Sequence, residues 1–457
     1  MTGCPFSSRR RFLGASGGIL AAPLLAARAR ADSGAESVAE TSVTTAIPFF
    51  GKHQAGIATP QQSHIVFASF DLAAGSRAEL IGLLRSWTAA AARLTAGEPI
   101  EAAEDKPTGP PGDSDAVLGL GPGRLTLTFG FGPGLFDQDG RDRYGLASRR
   151  PAALVDLPRF AGDQLDPAFT GGDLCIQACA DDQAIAFHAI RQLARLAAPN
   201  DAGKGYGGKK AGATTADDAK PGAATLRWIQ RGFLPGYPAD ETPRNLLGFK
   251  DGTQNPGRPG PAERADGHIL GNGTLDEAVW VGGDGPAWMA GGSYLVVRRI
   301  RIALQHWDNT ERDFQEQVIG RRKATGAPLT GGGEFAPLDL DAVDGDGTPI
   351  IGENSHVRLG SASANDGARI LRRSYSYSDG LAMIAERWPP WRQGLDYDAG
   401  LIFVAFQRDP RTGFIRIFER MAKFDMLNQF TTHIGSAIFA CPRGVAPGEF
   451  IGSDLFV

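Results

Sequence analysis

The sequence predicts an α+β protein built from two halves that repeat one order of elements: strand, helix, strand, strand, helix, strand. Three observations carry this. Short runs rich in β-branched and aromatic residues alternate with longer amphipathic stretches, and their order before residue 233 returns after it. No stretch beyond the N-terminal leader reaches the length of a membrane-spanning helix.

After a polar leader to about Thr45, residues 63–72 (SHIVFASFDL) read as a strand, because β-branched and aromatic side chains dominate. Residues 76–94 carry Leu and Ala at helical spacing, and 124–131 (RLTLTFGF) alternate as a strand. Residues 174–180 form a short strand, 181–196 an amphipathic helix, and 226–232 (LRWIQRG) a closing strand. In the second half, 292–302 (GSYLVVRRIRI) is a strand and 309–319 a helix. Strands at 370–377 and 401–407, a helix at 423–433 and a last strand at 437–441 (AIFAC) complete it. This is the ferredoxin-like order. Each half leaves one apolar sheet face open, so the two faces must bury each other, giving a dimeric α+β barrel within one chain. The repeat lies in element order and not in residue identity. The halves span 45–232 and 233–457. Residues 199–224, rich in Gly, Ala, Lys and Asp, read as a surface insertion, and 331–347 as a Gly/Asp connector just before His356.

With 457 residues, 42% hydrophobic and 21% charged, the chain exceeds any single small domain. A net charge of -4 leaves no basic footprint for nucleic acid. The N-terminus runs Ser8-Arg9-Arg10-Arg11-Phe12-Leu13, an apolar stretch over 14–27, then Ala29-Arg30-Ala31. This is the pattern of a twin-arginine (Tat) signal over 1–31, which implies export to the periplasm or beyond and contact with the Tat machinery. Pro23 interrupts the apolar stretch, which is too short to serve as a stable membrane anchor. Past Cys4, Cys175, Cys179 and Cys441 permit at most one disulfide, and no Cys-x-x-Cys-His is present for thioether attachment of haem.

Three strings carry the chemistry. Asn245-Leu246-Leu247-Gly248-Phe249-Lys250-Asp251-Gly252-Thr253-Gln254-Asn255-Pro256 offers a carboxylate at a tight turn. Glu353-Asn354-Ser355-His356-Val357-Arg358-Leu359 offers an imidazole, and Ile370-Leu371-Arg372-Arg373-Ser374 a guanidinium on a strand. Side chains alternate along a strand, so Arg372 and Arg373 face opposite ways, and the sequence leaves open which of them points inward.

These strings resemble those of the dye-decolorizing (DyP-type) peroxidases, in particular the exported subgroup that includes bacterial deferrochelatase/peroxidases. The resemblance covers nearly all of the mature chain. It implies non-covalently bound haem b with His356 as the proximal iron ligand and Asp251 and Arg372 on the peroxide side. It also implies that Gly252, Thr253, Gln254, Ser361, Ala362 and Ser363 line the haem edge, with Arg358 available to a propionate. A proximal imidazole donates its other N–H to an acceptor, and Asp409 is the candidate, although Asp-Pro is also an ordinary turn opener. The implied reaction reduces hydrogen peroxide and oxidises dyes, phenols or other one-electron donors through a ferryl intermediate. Release of iron from intact porphyrin, with iron-uptake partners, is the alternative; a haem carrier without turnover is the second, and a homo-oligomer fits any of them. A carboxylate base, with a reference pKa near 4, stays ionised in acid where imidazole does not, so an optimum at about pH 4 to 5 is expected. Tyr375, Tyr377, Trp388 and Trp391 are candidates for passing electrons to bulky donors, or are core aromatics.

Overall fold

The computed structural model describes residues 44–101, 111–198, 222–236, 241–256, 272–385 and 393–457. The leader over 1–31 and nearly all of the 199–224 insertion lie outside these residues.

The first half follows the predicted order: β1 (His64–Leu72), α1 (Arg77–Thr95), β2 (Thr126–Phe131), β3 (Leu174–Ala180), α2 (Gln183–Ala197) and β4 (Ala224–Phe233). Both helices start at capping side chains. The Ser76 hydroxyl accepts the Glu79 N–H, and the Asp182 carboxylate accepts those of Ala184 and Ile185, satisfying donors that a helix start leaves free. Along β1, Val66, Ala68 and Phe70 pack with Leu84, Trp87 and Ile190 of the two helices, whereas Ile65 and Phe67 join Trp228, Ile402 and Phe439 in a second cluster. Both faces of the strand are therefore buried. That is why β1 and β3 read as nearly unbroken apolar runs.

The second half holds α3 (Asn272–Ala278), β5 (Ser293–Ile302), α4 (Leu304–Asp308), α5 (Arg312–Ile319) and α6 (His356–Leu359). Then come β6 (Leu371–Arg372), β7 (Tyr375–Ala385), β8 (Gln393–Gln407), α7 (Phe414–Phe424) and β9 (Thr431–Cys441). The strands join in the order β5-β9-β2-β3-β1-β4-β7-β8, and β8 pairs back onto β5, closing the sheet into a barrel with β6 added along β8. Within this ring the first half is ordered β4-β1-β3-β2 and the second β7-β8-β5-β9, so each is ferredoxin-like. The seams between halves are thin, marked by the pairs Phe131 with Ala440 and Phe233 with Ser376. The interior cluster does the joining, since it draws Ile65, Phe67 and Trp228 from one half and Tyr375, Ile402 and Phe439 from the other.

Three expectations change. The 370–377 strand breaks at Arg373-Ser374 into β6 and β7, and β8 begins at Gln393 instead of 401, because β7 and β8 extend together as a hairpin pairing Leu381 with Tyr397 and Met383 with Leu395. The helix expected over 423–433 is α7, one element earlier; Met426–Gln429 is a short 3-10 turn and Thr431 already opens β9. The buried residues Phe414, Ile417, Phe418 and Ala422 of α7 have helical spacing, while Thr431 and Thr432 are β-branched and favour the strand.

Cys175, Cys179 and Cys441 are free thiols buried in the barrel interior. Gly130 makes room for two of them: a Cβ there would stand 2.8 Å from the Cys175 sulfur and 3.2 Å from that of Cys441. Tyr375 and Tyr377 are fully buried and so are core aromatics, while Trp388 and Trp391 lie outside the described residues.

Candidate active site

One cleft gathers nearly all the side chains that the sequence singles out. Its cavity volume is about 300 Å³, and Asp251, Gly252, Thr253, Gln254, His356, Ser361, Ala362 and Arg372 all line it. Its apolar walls come from the barrel and from α7, including Ile300, Leu401, Phe403, Ile417 and Phe418. Ser363 does not line the cleft. It sits behind Ser361, with the two hydroxyls 3.1 Å apart.

His356 opens α6, and the Ser355 hydroxyl before it donates to the Gly352 carbonyl at 2.7 Å, fixing the turn that presents the ring. The His356 Nδ1 lies 2.7 Å from Oδ2 of Asp425, whose side chain is 3% exposed. The other Asp425 oxygen accepts the Leu427 N–H at 2.8 Å, so the carboxylate is held from both sides. This leaves Nε2 of His356 without a hydrogen-bond partner among the described residues. Asp409 does not take this role. It caps its own turn, accepting the Arg411 N–H at 2.8 Å and pairing with the Arg411 guanidinium at 2.6 Å, so the turn-opening chemistry of Asp-Pro prevails.

Asp251 stands on a small turn closed by the Arg244–Lys250 bridge, its N–H donating to the Pro243 carbonyl. Gly252 follows at φ +100°, a backbone turn that a side chain would strain. Arg372 donates from Nη1 to Asp251 Oδ1 at 3.0 Å, and both side chains are partly exposed to the cleft. Asn255 ties the two segments together: its amide donates to the Arg372 carbonyl at 2.8 Å and accepts the Arg372 N–H at 3.1 Å, as a neighbouring strand would. Arg373 turns the other way, buried, with Nη2 donating to Gln62 Oε1 at 2.9 Å and Nη1 to the Thr59 carbonyl. Arg372 is therefore the inward one.

Several residues in or behind this cleft escape sequence reasoning. Glu334, from the 331–347 connector, accepts Lys250 Nζ at 2.7 Å and the hydroxyls of Thr253 and Thr242, pinning the turn that carries Asp251. Arg321, just after α5, lines the cleft; burial pulls its guanidinium below its usual range, Glu334 opposes that, and Arg372 adds to it. His433 also lines the cleft and accepts Arg298 Nε at 3.1 Å. Arg358 does not line it, being committed to the Ile351 and Leu340 carbonyls.

The geometry agrees with what the chain is similar to. Family models described as Dyp-type peroxidase, N-terminal, and Dyp-type peroxidase, C-terminal, match residues 54–200 and 242–446. A dye-decolorizing peroxidase of Thermobifida fusca is 37% identical, covering 98% of this chain and 97% of its own length. A deferrochelatase of Escherichia coli K12 is 34% identical over 89% of this chain and 86% of its own. Among solved structures, an oxyferrous/water mixed complex of DtpA from Streptomyces lividans superposes with a TM-score of 0.73 at 39% identity, covering 91% of this chain and 99% of that one. With both models matched and relatives aligned along nearly its full length, the chain belongs to the DyP-type peroxidases, which are haem-dependent oxidoreductases.

Proposed function

We propose that the chain reduces hydrogen peroxide and oxidises dyes, phenols or other one-electron donors, with haem b bound non-covalently in the cleft described. The observation that carries this is a single cleft lined by both the Asp251–Arg372 pair and a histidine whose Nδ1 is already committed to a carboxylate. The residues present fit the group. The apolar walls suit a flat macrocycle, and Nε2 of His356 is the donor that would hold its iron. Gly252, Thr253, Gln254, Ser361 and Ala362 would border its edge.

Bound haem supplies a redox centre able to accept peroxide and store its oxidising equivalents. The chain supplies the proton traffic. Asp251 takes a proton from one peroxide oxygen and delivers it to the other, which then leaves as water. Arg372, 3.0 Å away, orients the Asp251 carboxylate and places positive charge where the O–O bond polarises. Asp425 holds His356 in the tautomer that keeps its proton on Nδ1 and makes Nε2 the donor. Every residue given a role stands between Asn245 and His433, so we read 233–457 as the half that carries the site and 45–232 as its structural counterpart.

Stopped-flow mixing of the haem-loaded protein with peroxide tests the reading. Asp251→Ala is expected to slow the reaction about 10²- to 10⁴-fold with the Soret band retained. Unchanged rates in Asp251→Ala and Arg372→Ala would favour a carrier without turnover. The deferrochelatase relatives favour a second reaction, release of iron from intact porphyrin. Metal-free protoporphyrin appearing without peroxide would establish it. For location, the Tat signal over 1–31 supports export; a chain with Arg9, Arg10 and Arg11 changed to Lys should stay inside the cell.

A further inference from the structure

Arg321 is a cleft-wall cation that the peroxide chemistry leaves unused, and unlike Arg369, which is exposed at the same cleft, it is buried. It directly follows Gly320, whose backbone is left-handed at φ +90° and where an added Cβ would stand 2.5 Å from Val357 Cγ2, so the path of the chain into Arg321 is tightly set. The residue is 4% exposed, and its side chain donates through Nη1 to the carbonyls of Gly326 at 2.7 Å and Glu334 at 2.8 Å. Nη2 is buried without an acceptor, and Nε has none among the described residues. The Glu334 carboxylate is occupied by Lys250, Thr242 and Thr253, and Arg372 is occupied by Asp251. Glu334 offsets the charge of this buried guanidinium only at a distance, and no carboxylate hydrogen-bonds it; its Nε–Nη2 edge is the one that takes a carboxylate side-on through two parallel hydrogen bonds. The cleft is thus built to receive an anion that the protein itself does not provide.

We infer that Arg321 binds a carboxylate that the cofactor brings into the cleft, a porphyrin propionate; the inference rests on the haem reading above. Arg358, which the family resemblance makes available to a propionate, instead donates to the Ile351 and Leu340 carbonyls and does not line the cleft. The test is to titrate the full mature chain, produced without haem, with iron protoporphyrin IX and with its dimethyl ester, following the Soret band. The wild type should prefer the free acid by about tenfold or more, the scale of a charge-assisted pair. In Arg321→Met that preference should fall toward unity. Should Arg321→Met fail to fold, Arg321→Lys, which keeps the charge but loses the two-pronged edge, decides the matter: a reduced preference supports the inference and an unchanged one overturns it. A preference that survives Arg321→Met, or that collapses in Arg372→Met alone, also overturns it. A wild type that gives no Soret band with either probe fails the haem reading itself, which is a different result.

Discussion

Asp425 decides how His356 behaves. A carboxylate 2.7 Å from Nδ1 makes the imidazole a stronger donor, so Asp425→Asn should leave haem bound while raising its reduction potential and slowing the peroxide reaction about 10- to 100-fold. Spectroelectrochemistry beside stopped-flow would show this, and an unmoved potential would reduce Asp425 to a turn cap. His356, Asp251 and Arg372 were legible because each sits in a long distinctive string. Asp425 lies 69 residues from His356, and no local pattern marks it. The sequence offered Asp409 instead, where the local turn chemistry of Asp-Pro was the whole of the signal. The choice between Arg372 and Arg373 needed the third dimension, since alternation says only that they differ. Asn255 and Arg321 were illegible for a related reason: an amide that clamps a strand 117 residues away and a guanidinium with a free edge have no periodicity.

Among the elements, the turn carrying Asp251 is held from two sides, by the bonds that Asn255 makes to Arg372 of β6 and by Glu334 from the connector. Asn255→Ala should cost about 1 kcal/mol of stability and also lower peroxide reactivity with the Soret band unchanged, because both backbone bonds to Arg372 are lost. Burial alone would raise the Glu334 carboxyl, but hydrogen bonds from Lys250, Thr242 and Thr253 outweigh it and hold the group below its ordinary 4.5. A carboxyl lowered by folding stabilises the folded chain above its unfolded value, and that contribution is lost as pH falls through the lowered one. Glu334→Gln should therefore lower the Tm near neutral pH and flatten its fall below about pH 4.5, as scanning calorimetry across pH would show. The connector was legible only as a polar loop. The α7 helix was available in the spacing of Phe414, Ile417, Phe418 and Ala422, and the shift to 423–433 came from extending helical character through residues that make a 3-10 turn.

Across the whole molecule, the paired halves follow from strands buried on both faces, a property visible in apolar runs such as LCIQACA. The barrel interior is where the halves are joined, and it has no slack at Gly232: a Cβ there would meet Ile65 Cγ2 at 2.8 Å, Tyr375 Cβ at 2.8 Å and Ile402 Cγ2 at 2.9 Å. Gly232→Ala should destabilise the protein by about 1 to 3 kcal/mol in denaturant unfolding, with no change in the haem spectrum.

The same sealed interior bears on how such a catalyst survives its own oxidant. Cysteine reacts with peroxide as the thiolate, and burial pushes the Cys175, Cys179 and Cys441 thiols away from that form, Cys175 also being raised by the Cys441 nearby. Met383, 65% exposed on the hairpin, has no such shelter. Turnover damage should therefore accumulate as sulfoxide on Met383, and on Met421 where it lines the cleft, while the three buried thiols stay reduced, as peptide mass spectrometry of spent enzyme would reveal.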